Sequence, residues 1–149
     1  MDLRRKNDSP EKTLKEYGLN CTKSQIKVLK VLLSAENPLA RGDIISALGS
    51  RKIDKVTVYR ILERFCEKGL VHKAYLDKRD CEYELADRCS KHQCHPHFKC
   101  IKCGRVICLY DEKIPLIESR RDDLVFLRQK TVIEGIGPEC FAQGLYENK

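Results

Sequence analysis

The stretch HPHFKCIKCGRVICL, residues 95–109, places two histidines and three cysteines within fifteen positions. Packing alone does not call for so many soft, metal-seeking side chains, so this segment constrains the fold more than any other. Cys100 and Cys103 form a C-x-x-C knuckle followed by Gly104, a spacing at which two thiolates bind one zinc from a tight turn. The same spacing serves in redox dithiols, but there it opens a helix. Here the strand-like RVICL follows, which favours a metal. His95 and His97 form H-x-H, and residues i and i+2 of a strand point to one face, so both imidazoles can meet one ion. Cys89 lies six residues before His95, and Cys108 five after the knuckle.

The chain carries nine cysteines. An odd number, with no apolar segment behind the charged start MDLRRKNDSPEK, argues against a disulfide framework and a secretory signal. We therefore expect a cytoplasmic protein whose clustered thiols are metal ligands or redox groups. Cys66, at helical spacing among apolar residues, reads as a small core residue, and Cys21 is left open. No run of eighteen apolar residues is present, so no transmembrane helix is expected.

Residues 1–85 read as helices followed by a hairpin. Ser9-Pro10 starts a helix that ends near Gly18. Thr22 caps a second, with Ile26, Leu29 and Leu33 on one face, and Asn37-Pro38 stops it. A short third helix carries Ile44, Ile45 and Leu48 and closes at Gly49. Asp54 caps a fourth, KVTVYRILERFCEKG, in which Val58, Ile61, Leu62 and Phe65 define the buried stripe. Lys55, Thr57, Tyr59, Arg60 and Arg64 are left on its other faces. The runs LVHKAYL and CEYEL then form strands joined by the DKRD turn. Of the formal net charge of +7, residues 1–85 hold +5, from 18 basic and 13 acidic residues. Three helices, a basic fourth and a hairpin describe a winged helix-turn-helix whose fourth helix enters the major groove of double-stranded DNA. Lys55, Thr57, Tyr59 and Arg60 are its expected contacts.

The remaining residues read differently. FKC, RVICLY and LVFLRQKTVIEGI look like strands in a domain with few large apolar groups, which needs a metal or a partner chain for stability. The expected fold is α+β, with a winged helix-turn-helix at 1–86 and a small metal-binding dimerisation domain at 87–149.

Together VTVYRILERFCEKGLV, YEL, HPHFKCIKCG and VIEGIGPEC make the chain resemble the ferric uptake regulator family of metal-sensing repressors, over nearly its whole length. The resemblance implies a homodimer that binds a DNA operator. It also implies a structural zinc on four cysteines and a regulatory metal site between the domains. Cys100, Cys103 and Cys140 match the structural set, but Gly137 stands where the family places its third cysteine. The fourth corner then falls to another thiol such as Cys94 or Cys81, to a water, or the site is absent. At the regulatory site, the histidines and aspartates of peroxide-sensing members are matched by Asn37, Cys89, His95, His97 and Cys108, with Glu84 and His92 as lesser candidates. Two thiolates and two imidazoles suit tetrahedral zinc, whereas carboxylate-rich sets suit manganese or ferrous iron. The chain thus reads as a zinc-responsive repressor of metal-homeostasis genes. The alternatives are an iron-responsive or a peroxide- or thiol-sensing regulator of the same family, and more remotely a zinc enzyme. No H-E-x-x-H, P-loop or nucleophile elbow supports the last.

Overall fold

The computed structural model describes residues 9–49, 53–75, 81–88 and 93–145. It divides into two units, Met1–Asp87 and Arg88–Lys149.

The first unit begins with α1 (Pro10–Glu16) and α2 (Lys23–Ser34). Each starts where a side chain satisfies a free backbone N–H: Ser9 accepts from Lys12, and Thr22 from Gln25, both at 3.2 Å. The two-residue strand β1 (Leu39–Ala40) leads into α3 (Arg41–Leu48). The fourth helix, α4 (Lys55–Glu67), is capped by Asp54, which accepts from the Thr57 N–H at 2.9 Å. Gly69, at φ +73°, turns the chain out of α4 in a conformation that L side chains rarely adopt. Strands β2 (Val71–Tyr75) and β3 (Cys81–Leu85) pair antiparallel, and β1 adds to the other edge of β3, giving the order β1-β3-β2. The DKRD turn lies outside the described residues.

The apolar stripe of α4 closes on the core. Val58, Leu62 and Phe65 are fully buried, together with Leu14, Val28, Leu29, Ile44, Leu70 and Tyr83. Cys66 is partly buried and packs against this cluster. Burial pushes its thiol up to about 11, which leaves it an inert thiol at neutral pH. Caps, spacing and hairpin combine into the winged helix-turn-helix expected from sequence.

The second unit holds β4 (His97–Cys100), β5 (Val106–Cys108), β6 (Val132–Gly135) and α5 (Pro138–Ala142). Its sheet runs β5-β4-β6, with β4 antiparallel to β5 and parallel to β6. LVFLRQKTVIEGI was expected to be one strand over residues 124–136. Only Val132–Gly135 pairs, preceded by a single bridge between Gln93 and Gln129. Leu124, Val125, Phe126 and Leu127 stand exposed. An apolar run raises strand propensity, but a strand also needs a neighbour to take its hydrogen bonds, and among the described residues none pairs with 124–127. Two elements were not anticipated: β1 is too short for a period, and α5 too short for an amphipathic face.

Candidate metal centres and nucleic-acid interface

The knuckle is built by the β4–β5 hairpin. Register pairs Lys99 with Val106, and the Cys100 N–H donates to the Arg105 carbonyl at 2.9 Å. Gly104, at φ +73°, makes the turn and donates its own N–H to the Cys100 carbonyl at 2.9 Å. Parallel pairing of Cys100 with Gly135 then brings the GPEC turn alongside, and Pro138 opens α5 with Cys140 in its first turn. Arg105 and Glu139 form an exposed ion pair joining the hairpin to α5. The sulfurs of Cys100, Cys103 and Cys140 consequently lie within 4.8 Å of one another. Tetrahedral zinc with bonds of about 2.3 Å sets its sulfurs roughly 3.8 Å apart, so small movements would bring these three onto one ion.

Electrostatics divide the trio. Backbone N–H groups of Cys103 and Gly137 hold the Cys100 thiol down to about 6, so at neutral pH it is mainly thiolate. Burial and the neighbouring Cys103 and Cys100 sulfurs push Cys140 up to about 11. Crowded thiols of this kind give up their protons when they bind a cation. Gly137 lies beside Cys100. A Cβ built there would sit 3.3 Å from Cys100 Cβ and 3.7 Å from its Sγ. Gly137 has φ −77° and ψ 165°, a backbone conformation that cysteine adopts without strain.

The second cluster uses the other end of the same hairpin. His97 and Cys108 are directly paired across β4 and β5, so their side chains leave the sheet on one face. Both are buried, at 5% and 8% exposure. His95 precedes the strand, and its ring centroid lies 4.5 Å from that of His97 and 4.5 Å from that of Tyr110. Ligand atoms of His95, His97 and Cys108 all fall within 4.8 Å of one another. Two imidazoles and one thiol, largely shielded from water, make a borderline-soft donor set. Cys89 and His92 lie outside the described residues. Glu84 belongs to the first unit, where it is buried on β3 and accepts a hydrogen bond from His72, its cross-strand partner on β2. Asn37 lies in the turn that leads into β1.

On α4, Lys55, Tyr59 and Arg60 are exposed, whereas Val58 and Ile61 point inward. The Thr57 hydroxyl donates to the Asp54 carboxylate, so this side chain completes the helix cap. Sequence reasoning missed the neighbour of Tyr59. The Arg41 guanidinium carbon lies 4.9 Å from the Tyr59 ring centroid, and Arg41 Nε donates to the Tyr83 hydroxyl at 2.8 Å. An isolated arginine far from both tyrosines in sequence carries no local signal of this contact.

A family model described as the ferric uptake regulator family matches residues 16–125. The ferric uptake regulation protein of Legionella pneumophila is 32% identical, over 85% of this chain and 95% of its own length. The structure of the Pseudomonas aeruginosa ferric uptake regulator with manganese superposes with a TM-score of 0.62 at 25% identity, covering 88% of this chain and 99% of that one. A zinc uptake regulator complexed with zinc and DNA shares the fold, with a TM-score of 0.57 at 19% identity over 91% of this chain and 93% of that one. No helix among the described residues is long and apolar enough to cross a membrane. The chain belongs to the ferric uptake regulator family, a family of metal-responsive DNA-binding transcription regulators and not of enzymes.

Proposed function

We propose that this chain is a homodimeric repressor that binds its operator in response to zinc. The observation that carries the reading is the donor set of the second cluster: His95, His97 and Cys108 within 4.8 Å, two of them buried. Thiolate and neutral imidazole favour zinc over manganese or ferrous iron, which suit oxygen-rich sites. Cys89 is proposed as the fourth ligand, with Glu84 and His92 held in reserve. A bound zinc would stabilise whichever arrangement presents all of its donors, and by linkage it favours DNA if that arrangement is the binding one. Cys100, Cys103 and Cys140 are proposed as a structural zinc set whose fourth position is not filled by a cysteine at 137.

Lys55, Tyr59 and Arg60 are proposed as the DNA contacts, with Thr57 acting through the cap that orders the start of α4. The dimer reading is supported by β6, where Val132 is 40% and Ile133 42% exposed, so neither face of the strand is covered. A second copy meeting the exposed apolar side chains of the second unit would cover it.

The test is operator binding by metal-stripped protein reloaded with zinc, manganese or ferrous iron. The operator is a duplex selected from random sequence by protein purified without an affinity tag. Zinc should restore binding at the lowest free concentration. Restoration by ferrous iron or manganese but not by zinc would sink the reading and move attention to Glu84 and His92.

A further inference from the structure

Arg41 follows β1 directly and opens α3, yet its side chain serves α4. Nε donates to the Tyr83 hydroxyl at 2.8 Å, and an Nη atom lies 3.6 Å from Glu63. Glu63 also takes Lys73 Nζ at 2.8 Å and the Tyr83 hydroxyl at 3.4 Å. Tyr83 is fully buried on β3. The guanidinium is therefore anchored by a fixed phenol and a carboxylate drawn from β3 and α4. Its carbon lies 4.9 Å from the Tyr59 centroid and 5.6 Å from that of Tyr83. Tyr59 itself is 37% exposed. The hydrogen bond to Tyr83 holds the Arg41 charge firmly, and the Lys73 ammonium holds the Glu63 carboxyl below its usual range.

We propose that Arg41 is a positioning residue for DNA recognition, holding the Tyr59 ring in the orientation that meets DNA while making no phosphate contact itself. The proposal rests on the reading that Tyr59 contacts DNA. A planar guanidinium stacks on an aromatic face as an ammonium cannot, and the anchors keep that plane in place before DNA arrives. A ring already ordered loses less freedom on binding, and that difference appears as affinity. Arg41, Tyr83 and Glu63 thus link α3 and the wing to the exposed face of α4.

The experiment measures affinity for the selected duplex across a range of salt, using full-length metal-loaded wild type, Arg41→Ala, Arg41→Lys, Tyr59→Ala and the Arg41→Ala/Tyr59→Ala double variant. It is paired with NMR spectra of the Tyr59 ring taken without DNA. Arg41→Ala should weaken binding about threefold to tenfold and shift the Tyr59 ring signals, with the salt slope unchanged. Arg41→Lys should restore only part of the affinity, because it keeps the charge and loses the plane. In the Tyr59→Ala background, Arg41→Ala should add less than about twofold. Should Arg41→Ala fail to fold, Arg41→Lys and Glu63→Gln carry the same comparison. If the arginine effect persists in full without Tyr59, or the salt slope falls by about 0.9, Arg41 is a direct phosphate contact and the proposal is overturned. If Tyr59→Ala alone binds normally, the reading of Tyr59 as a DNA contact fails, and the proposal with it.

Discussion

The two units bury different kinds of side chain. In the winged helix, fourteen apolar residues from Leu14 to Leu85 form one cluster. Among the described residues of the second unit, the buried side chains are Cys94, Pro96, His97, Cys100, Val106, Cys108 and Cys140. Val106 is the one branched aliphatic among them. Phe98, Ile107, Leu109 and Ile136 are only half-buried, and Val125, Phe126 and Leu127 are exposed. A fully buried leucine or phenylalanine contributes about 1.5–3 kcal/mol through removal from water, so the first unit has a conventional source of stability. Burying thiols and imidazoles contributes little until they hold something. The difference suggests that the first unit folds on its own apolar core, and that the second is ordered by what it binds.

The largest expected effect breaks this contrast in one step. Removing metal with a strong chelator should abolish hydrogen-exchange protection in β4, β5 and β6 while α2 and α4 keep theirs. Protection retained in the second unit, with metal absence verified, would mean that its sheet stands without ligands. The converse perturbation is Phe65→Ala. Phe65 is fully buried, and its truncation should cost about 3–5 kcal/mol in the first unit, read as a lowered thermal midpoint. Zinc affinity of the second unit should change less than about twofold. A matching loss of zinc affinity would show that the units share one cooperative core.

A smaller effect follows from the thiols. With Cys140 pushed up to about 11, zinc must displace its proton throughout the neutral range. Cys100, held at about 6, is already deprotonated above that value. Protons compete with the metal, so affinity falls as pH falls. Each proton displaced should cost about tenfold per pH unit, with a steeper loss below about pH 6 as Cys100 also protonates. Chelator competition between pH 5.5 and 8 checks this, and a flat profile would remove these thiols from the site. The smallest change is Gly137→Cys. The new Cβ would meet Cys100 at 3.3 Å, so the neighbour must give slightly before a fourth sulfur can join. With zinc present, affinity should rise about tenfold, equivalent to about 1.4 kcal/mol of added stability and read as a raised thermal midpoint. No gain would mean that the fourth position is already filled.

The first unit was largely legible because its signals are local. Ser9, Thr22 and Asp54 mark helix starts by residue type, and Val58, Ile61, Leu62 and Phe65 repeat at helical spacing. The second unit was legible where its signals are local: the strands FKC and RVICLY, the H-x-H pair, and the knuckle of Cys100 and Cys103. The pairing of His97 with Cys108 depends on hairpin register, and Cys140 reaches the knuckle through the parallel β4–β6 pair and α5. Neither can be read from spacing. The run at 124–127 misled because its hydropathy resembles a strand, while no strand among the described residues pairs with it. Arg41 escaped notice because its contacts are tertiary and its neighbours in sequence are unremarkable.

The central claim is that the His95, His97 and Cys108 cluster makes DNA binding depend on zinc, while the separate Cys100, Cys103 and Cys140 set orders the second unit. Its most direct test is operator affinity as a function of free zinc, compared between wild type, Cys108→Ser and His97→Ala, with dimer mass and thermal midpoint recorded for each. We predict a zinc-dependent rise in wild-type affinity of at least about a hundredfold. That rise should be lost in both variants, while dimer mass stays the same and the midpoint changes little. Variants that bind the operator with the wild-type zinc dependence would contradict the account and make Cys108 and His97 ordinary core residues.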